Sequence, residues 1–158
     1  MALRNSDGVR LDRTGWRCQD ISERHRHWGY NCPAVDLDFM VAEYNYGKPV
    51  ALIEYKEQRA KISTDHTTYH ALRSLADGYS GGSLPFLIAI YSSEHWWFRI
   101  IPMNDSAKKF YPPNARNLTE KRFVKSLYVM REITLSESDS AAIERLNTVY
   151  PPMTSVDI

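Results

Sequence analysis

Val35-Asp36-Leu37-Asp38-Phe39-Met40-Val41-Ala42-Glu43-Tyr44, then Asn45-Tyr46-Gly47, then Lys48-Pro49-Val50-Ala51-Leu52-Ile53-Glu54-Tyr55-Lys56 reads as one β-hairpin. Side chains alternate between the two faces of a strand. Val35, Leu37, Phe39 and Val41 therefore point one way, and Asp36, Asp38, Met40 and Ala42 the other. Glu54 and Lys56 share a face of the second arm. Asn45-Tyr46-Gly47 fits a three-residue loop, a type I turn followed by glycine in the left-handed region. That loop pairs Tyr44 with Lys48, sets Asp38 opposite Glu54 and sets Asp36 opposite Lys56. A slip of two residues would bring Asp36 or Met40 to Glu54 instead. Directly opposed side chains have Cβ atoms roughly 4.5–5.5 Å apart, and like charges so placed destabilise a sheet. A divalent cation between the carboxylates removes that repulsion, so the hairpin is predicted to carry a metal site.

The plainer interpretation is a solvated sheet face with cross-strand ion pairs. Two features count against it. Aspartate is disfavoured inside strands, yet two occur in one. Val50 with Leu52-Ile53 also describes an arm buried on both faces, where free charges are costly.

The remaining composition is that of an ordinary globular chain. Its 158 residues predict one domain, with a core over about 14–131 and irregular ends at 1–13 and 151–158. A net charge of +1 gives no whole-chain field for nucleic acid. Basic residues cluster locally at Arg10, Arg13, Arg17, Arg24 and Arg26, and again at Lys121, Arg122 and Lys125. The start, Met-Ala-Leu-Arg-Asn-Ser-Asp, lacks the apolar core of a secretory leader, and no apolar run reaches the ~18 residues of a membrane span. With only Cys18 and Cys32, a reduced cytoplasmic setting and no membrane partner are expected. Cys18, His25, His27 and Cys32 match no common zinc module, and His66 with His70 lacks the metalloprotease glutamate.

Hydrophobic periodicity places the other elements. A first helix from Thr14 to about Trp28 turns Cys18, Ile21, His25 and Trp28 inward and Arg17, Asp20, Arg24 and His27 outward. A second helix, started by Asp65 or Thr64, runs from about His66 to Ala76 with Tyr69, Leu72 and Leu75 as its apolar side, and Gly78 ends it. Leu84–Tyr91 is nearly continuous apolar, the pattern of a strand buried on both faces. Trp96–Met103 is the next strand, and its adjacent tryptophans point to opposite sides. Residues 104–117 form a loop. Thr119 caps a third helix that ends near Arg131, with Leu118 and Phe123 as a hydrophobic staple and Phe123, Leu127 and Met130 inward. A last helix covers Glu137 to Asn147. Hairpin, helix, strand, strand, helix predicts an α/β fold with a central mixed sheet flanked by helices.

A helix, an aspartate-bearing strand, a hairpin into Glu-x-Lys, then a helix and a buried strand resembles the PD-(D/E)XK nuclease superfamily. Pro33-Ala34-Val35-Asp36-Leu37-Asp38 looks like its first motif and Glu54-Tyr55-Lys56 like its second, and the likeness covers roughly residues 14–103. It implies a restriction-endonuclease-like fold and Mg²⁺- or Mn²⁺-dependent hydrolysis of DNA phosphodiesters, with RNA left open and a homodimer as one way to cut both strands. Pro33 directly precedes neither aspartate. Asp38 is the preferred metal ligand beside Glu54, with Asp36 second, and Lys56 serves the attacking water and the developing charge. The likeness also brings in a first-helix carboxylate, Glu23 or Asp20. Tyr69 enters through the spacing of a Gln-x-x-x-Tyr element whose glutamine is here Asp65. Arg24 and His27, on the polar face of the first helix, are candidates to reach phosphate. The alternative is a non-catalytic nucleic-acid-binding or assembly module that keeps the fold and the lysine.

Overall fold

The computed structural model describes residues 27, 37–113 and 116–149. The chain parts between Val35 and Asp36 into two units. His27, helical and exposed, is the described residue of the first. The rest of the helix expected at 14–28 lies outside the described residues, as does the tail from 150 onward.

The second unit is α/β, built on a five-stranded mixed sheet. The strands are β1 (Phe39–Glu43), β2 (Lys48–Glu57), β3 (Phe86–Tyr91), β4 (Trp97–Pro102) and β5 (Leu118–Thr119), side by side in that order. The helices are α1 (Thr67–Asp77), the short α2 (Asp105–Lys108), α3 (Glu120–Met130) and α4 (Glu137–Val149). β2 and β3 run parallel, and the other neighbours are antiparallel. Two parallel strands need a crossover, which α1 supplies. Among the described residues no helix is long and apolar enough to cross a membrane.

β3 explains the layering. Its Phe-Leu-Ile-Ala-Ile run has water on neither side, so alternate residues feed two cores. Phe86, Ile88 and Ile90 pack with Leu52 of β2 and with Tyr69, Leu72 and Ala76 of α1. Leu87 and Ala89 pack with Ala51, Ile53, Phe98, Ile100 and, from α3, Phe123 and Met130. The Phe98 and Phe123 rings stack with centroids 4.3 Å apart. Thr119 caps α3 by accepting from Arg122 N–H, as expected, whereas α1 is capped by His66, whose Nδ1 accepts from Thr68 N–H. The inward stripe of α1 also differs from expectation. Ala76 takes the third buried position, and Leu75 is 59 % exposed. A four-residue step after the three-residue step from Tyr69 to Leu72 brings the stripe back to one side of a 3.6-residue helix, while a second three-residue step carries Leu75 round toward solvent.

The hairpin reaches its expected register by a different route. Its turn holds four residues, a 3₁₀ turn at Tyr44–Tyr46 and then Gly47 at φ +59°, so that Glu43, not Tyr44, faces Lys48. Between Ala42↔Pro49 and Val41↔Ala51 the ladder slips by one, leaving Val50 as the extra residue of a β-bulge. Val50 and Ala51, consecutive in sequence, therefore both join the core on the α3 side. The bulge cancels the longer turn. Beyond it Met40 faces Leu52 and Phe39 faces Ile53, where the pairing ends; extended by one step, the same register leads to Asp38 and Glu54. Glu43 is also gripped by Arg131, whose Nε and second guanidinium nitrogen donate to its two oxygens at 2.8 and 3.1 Å. That pair ties the turn end of the hairpin to the end of α3.

Within the stretch expected to be loop, Asn104 ties α1, β3 and α2 together. It is 5 % exposed. Its Oδ1 accepts from Phe86 N–H and Ala107 N–H, both at 3.0 Å, and its Nδ2 donates to Leu84 O and Asp77 Oδ1 at 2.7 and 2.8 Å. Alanine there strands buried backbone groups, each at a cost of about 1–3 kcal/mol. Asn104→Ala is expected to lower the unfolding free energy by about 3 kcal/mol in urea titrations. An unchanged midpoint would show that these bonds do not hold the elements together.

Candidate functional site

Glu54 and Lys56 project from β2 on the α1 side of the sheet. Leu52, two residues earlier, packs with Tyr69 and Leu72 of α1, and alternation carries the face forward to Glu54 and Lys56. The Glu54 side chain is 9 % exposed and that of Lys56 30 %. Lys56 Nζ donates to Glu54 Oε1 at 2.7 Å. The other carboxylate oxygen, Oε2, is buried and has no hydrogen-bond partner. A buried carboxylate oxygen without a donor is costly, so the fold keeps an unmet demand for positive charge or a proton donor at this point.

Asp38 lies just before β1 and is exposed. Its Oδ2 accepts from the Tyr55 backbone N–H at 3.2 Å. The Tyr55 ring, on the opposite face, meets Phe39 edge-on at 5.0 Å and sits among Tyr91 and Phe123. Tyr55 thus fastens the entry to β1 by its backbone on one side and its ring on the other. Asp38 is brought beside the Glu54–Lys56 segment as a result. The hydrogen bond to Glu54 holds the Lys56 ammonium above the usual lysine range. Burial works against it, and the neighbouring carboxylates of Glu54 and Asp38 reinforce it. Lys56 here is a cation, not a ready base.

Tyr69 is buried on α1 with its ring against Phe86 and His66, close enough to act on Lys56 electrostatically. Asp36, Glu23, Asp20 and Arg24 lie outside the described residues, as do Cys18, His25 and Cys32. His27 belongs to the other unit. Among the described residues no three His, Cys, Asp or Glu side chains converge as a metal cluster. The set at hand is therefore two carboxylates and a lysine. It fits a hard divalent cation in one definite respect: the donors are oxygens, and one of them is buried and unsatisfied.

One residue was not singled out from the sequence. Lys56 pairs with Ile90, and Ile90 with Arg99. Arg99 lies between Trp97 and Ile101, both packed on the α1 side, and so shares the face of Lys56 two strands away. It is exposed, and among the described residues it makes no hydrogen bond or ion pair. An arginine interrupting Trp-Trp-Phe-Arg-Ile-Ile is the signal that marks it. Trp96 and Trp97 do point to opposite sides: Trp96, at φ +51°, stacks on Tyr91 on the α3 side, and Trp97 packs on the α1 side.

No protein-family model, no curated protein and no solved structure matches the chain.

Two predictions follow from the physics of this strand. Lys56→Met leaves a buried carboxylate unpaired and is expected to cost about 2–3 kcal/mol, discounted for the partial exposure of the lysine. The double variant Glu54→Gln/Lys56→Met should regain at least wild-type stability, since it removes both charges. Urea unfolding of the set checks this, and a double variant no better than Lys56→Met would refute it. The second concerns alkaline pH. Burial, with a smaller contribution from Tyr111, pushes the Tyr55 phenol up to about 12. An unfolded tyrosine ionises near pH 10. Between those values the folded chain binds more protons, so stability present below pH ~10 is lost as pH rises toward ~12. The raised Lys56 acts in the same direction. Tyr55→Phe is expected to show a shallower alkaline fall in denaturation midpoint than wild type.

Proposed function

We propose that this chain is a divalent-metal-dependent nuclease acting on DNA, of the PD-(D/E)XK kind and with its restriction-endonuclease-like fold. The observation that carries the reading is the buried, unpartnered oxygen of Glu54 beside a lysine on the same face. The order hairpin, helix, parallel strand supports it, because the resemblance implies that arrangement around Glu-x-Lys. Glu54 and Asp38 would hold Mg²⁺ or Mn²⁺, with Asp36 as a further ligand. A bound divalent ion supplies Lewis acidity toward a phosphate oxygen and acidifies water.

The chain's own groups supply the rest. The Lys56 ammonium offsets charge that builds on the phosphate oxygens as the water attacks. In the metal-free chain Glu54 holds that ammonium at 2.7 Å. Arg99, a rigid step across the sheet, takes a neighbouring phosphate without touching the reacting centre. The apolar floor of Ile88 and Ile90 between them keeps the local dielectric low, which strengthens each of these contacts.

Supercoiled, linear and branched DNA incubated with and without Mg²⁺ or Mn²⁺ tests the reading. Wild type is expected to cut at least one of them only with the cation, and Lys56→Ala to cut at least ~10²-fold more slowly. If nothing is cut, the Lys56–Arg99 row favours the second reading, a non-catalytic nucleic-acid-binding module. In that case Glu54→Gln should bind DNA more tightly than wild type, because an anion facing phosphate is gone.

A further inference from the structure

We infer that the Lys56 ammonium is the resident counter-ion of Glu54 and is exchanged for the divalent cation, so that metal binding sets the lysine free for the substrate anion. The inference rests on the metal-site reading above and adds an order of events to it. The Glu54 carboxylate has two oxygens. One is closed by Lys56 Nζ at 2.7 Å, and the other is buried without a partner. A site in this condition is half neutralised. Its remaining charge attracts a second cation, while the first repels it.

The two demands cannot both be met in place. At a few ångströms an ammonium and a divalent ion repel strongly in a poorly solvated setting, and Glu54 is nine-tenths buried. The lysine can leave and the glutamate cannot. Lys56 is 30 % exposed and sits on a four-carbon stem with three rotatable donors, two residues nearer the end of β2 at Glu57. Glu54 sits within β2, held by the sheet with Ile88 at its parallel partner position. When a metal takes the carboxylate, the ammonium turns outward toward solvent and the face shared with Arg99. No covalent bond changes and no proton need move. The apo pair is a closed resting form, in which neither the carboxylate nor the amine is offered fully to a ligand.

The exchange has a sign that a simple supporting role for Lys56 lacks. If lysine merely buttressed Glu54, removing it would disorder the carboxylate and weaken metal binding. If lysine competes, removing it strengthens metal binding. Mn²⁺ binding to the full chain, read by electron paramagnetic resonance without DNA, separates the two. Lys56→Met and Lys56→Gln are expected to bind Mn²⁺ at least about tenfold more tightly than wild type, Lys56→Arg about as weakly as wild type, and Glu54→Gln more weakly than any of them. Circular dichroism melts confirm folding, and the glutamine variant, which keeps a donor for Oε1, serves where methionine disrupts it. Equal or weaker Mn²⁺ binding in folded Lys56→Met and Lys56→Gln overturns the exchange while leaving a metal site standing. An absence of Mn²⁺ binding in every variant overturns the metal-site reading as well.

Discussion

The parallel pairing of β2 with β3 is the constraint from which the rest of this unit follows. Parallel neighbours cannot be joined by a tight turn, so the chain must leave the sheet, cross one face as α1 and return. With α1 over one face and α3 over the other, the interior strand β3 is covered on both sides, and its run of apolar residues becomes intelligible. The same pairing decides which half of β2 belongs to which core. Ala51 and Ile53 go to the α3 side and Leu52 to the α1 side, and Glu54 follows Leu52 onto the α1 face. A carboxylate arrives there because the register is set by the apolar residues around it.

The packing that makes this unit rigid and the carboxylate it carries therefore pull in different directions. Ile53 and Ile88 hold β2 so firmly that Glu54 cannot retreat to water, and its second oxygen stays without a donor. Natural folds keep such groups where chemistry needs them and accept the loss of stability. Lys56 lessens that loss without cancelling it. Tyr55, between them in sequence but facing the other core, anchors the start of β1 with its backbone and its ring. Three consecutive residues thus do three different things, because a strand presents its side chains alternately.

Much of this was legible in the residues. Period-2 and period-3.6 patterns located β2, β3, β4, α1, α3 and α4 to within two or three residues at their ends, since those elements bury one stripe or two faces of strongly apolar side chains. The register of the hairpin at Phe39↔Ile53 is the expected one, although the expectation came from a shorter turn and an unbroken ladder. Turn length and bulge offset one another, and neither leaves a clear mark in Asn45-Tyr46-Gly47 or in Pro49-Val50. Asn104 was passed over because its role depends on three elements meeting at one point, and no local pattern encodes that. Leu75 looked like core and Ala76 did not. Size favoured the leucine, but helical geometry brought the alanine to the sheet. Arg99 stood in plain view as the one charge in an apolar strand, and its meaning needed the row that joins it to Lys56.

The extra residue at Val50 has a consequence for how this hairpin tolerates change in its length. Pairing on the turn side of it and pairing on the Glu54 side are offset by one, so the kink works as a slip joint. A one-residue deletion there would merge the two ladders into one continuous register and leave every facing partner, from Glu43↔Lys48 to Phe39↔Ile53, as it was. A deletion between residues 51 and 54 has no such slack and would turn the acidic group into the opposite core. Length variation in this arm is therefore permitted in one place and forbidden a single residue later.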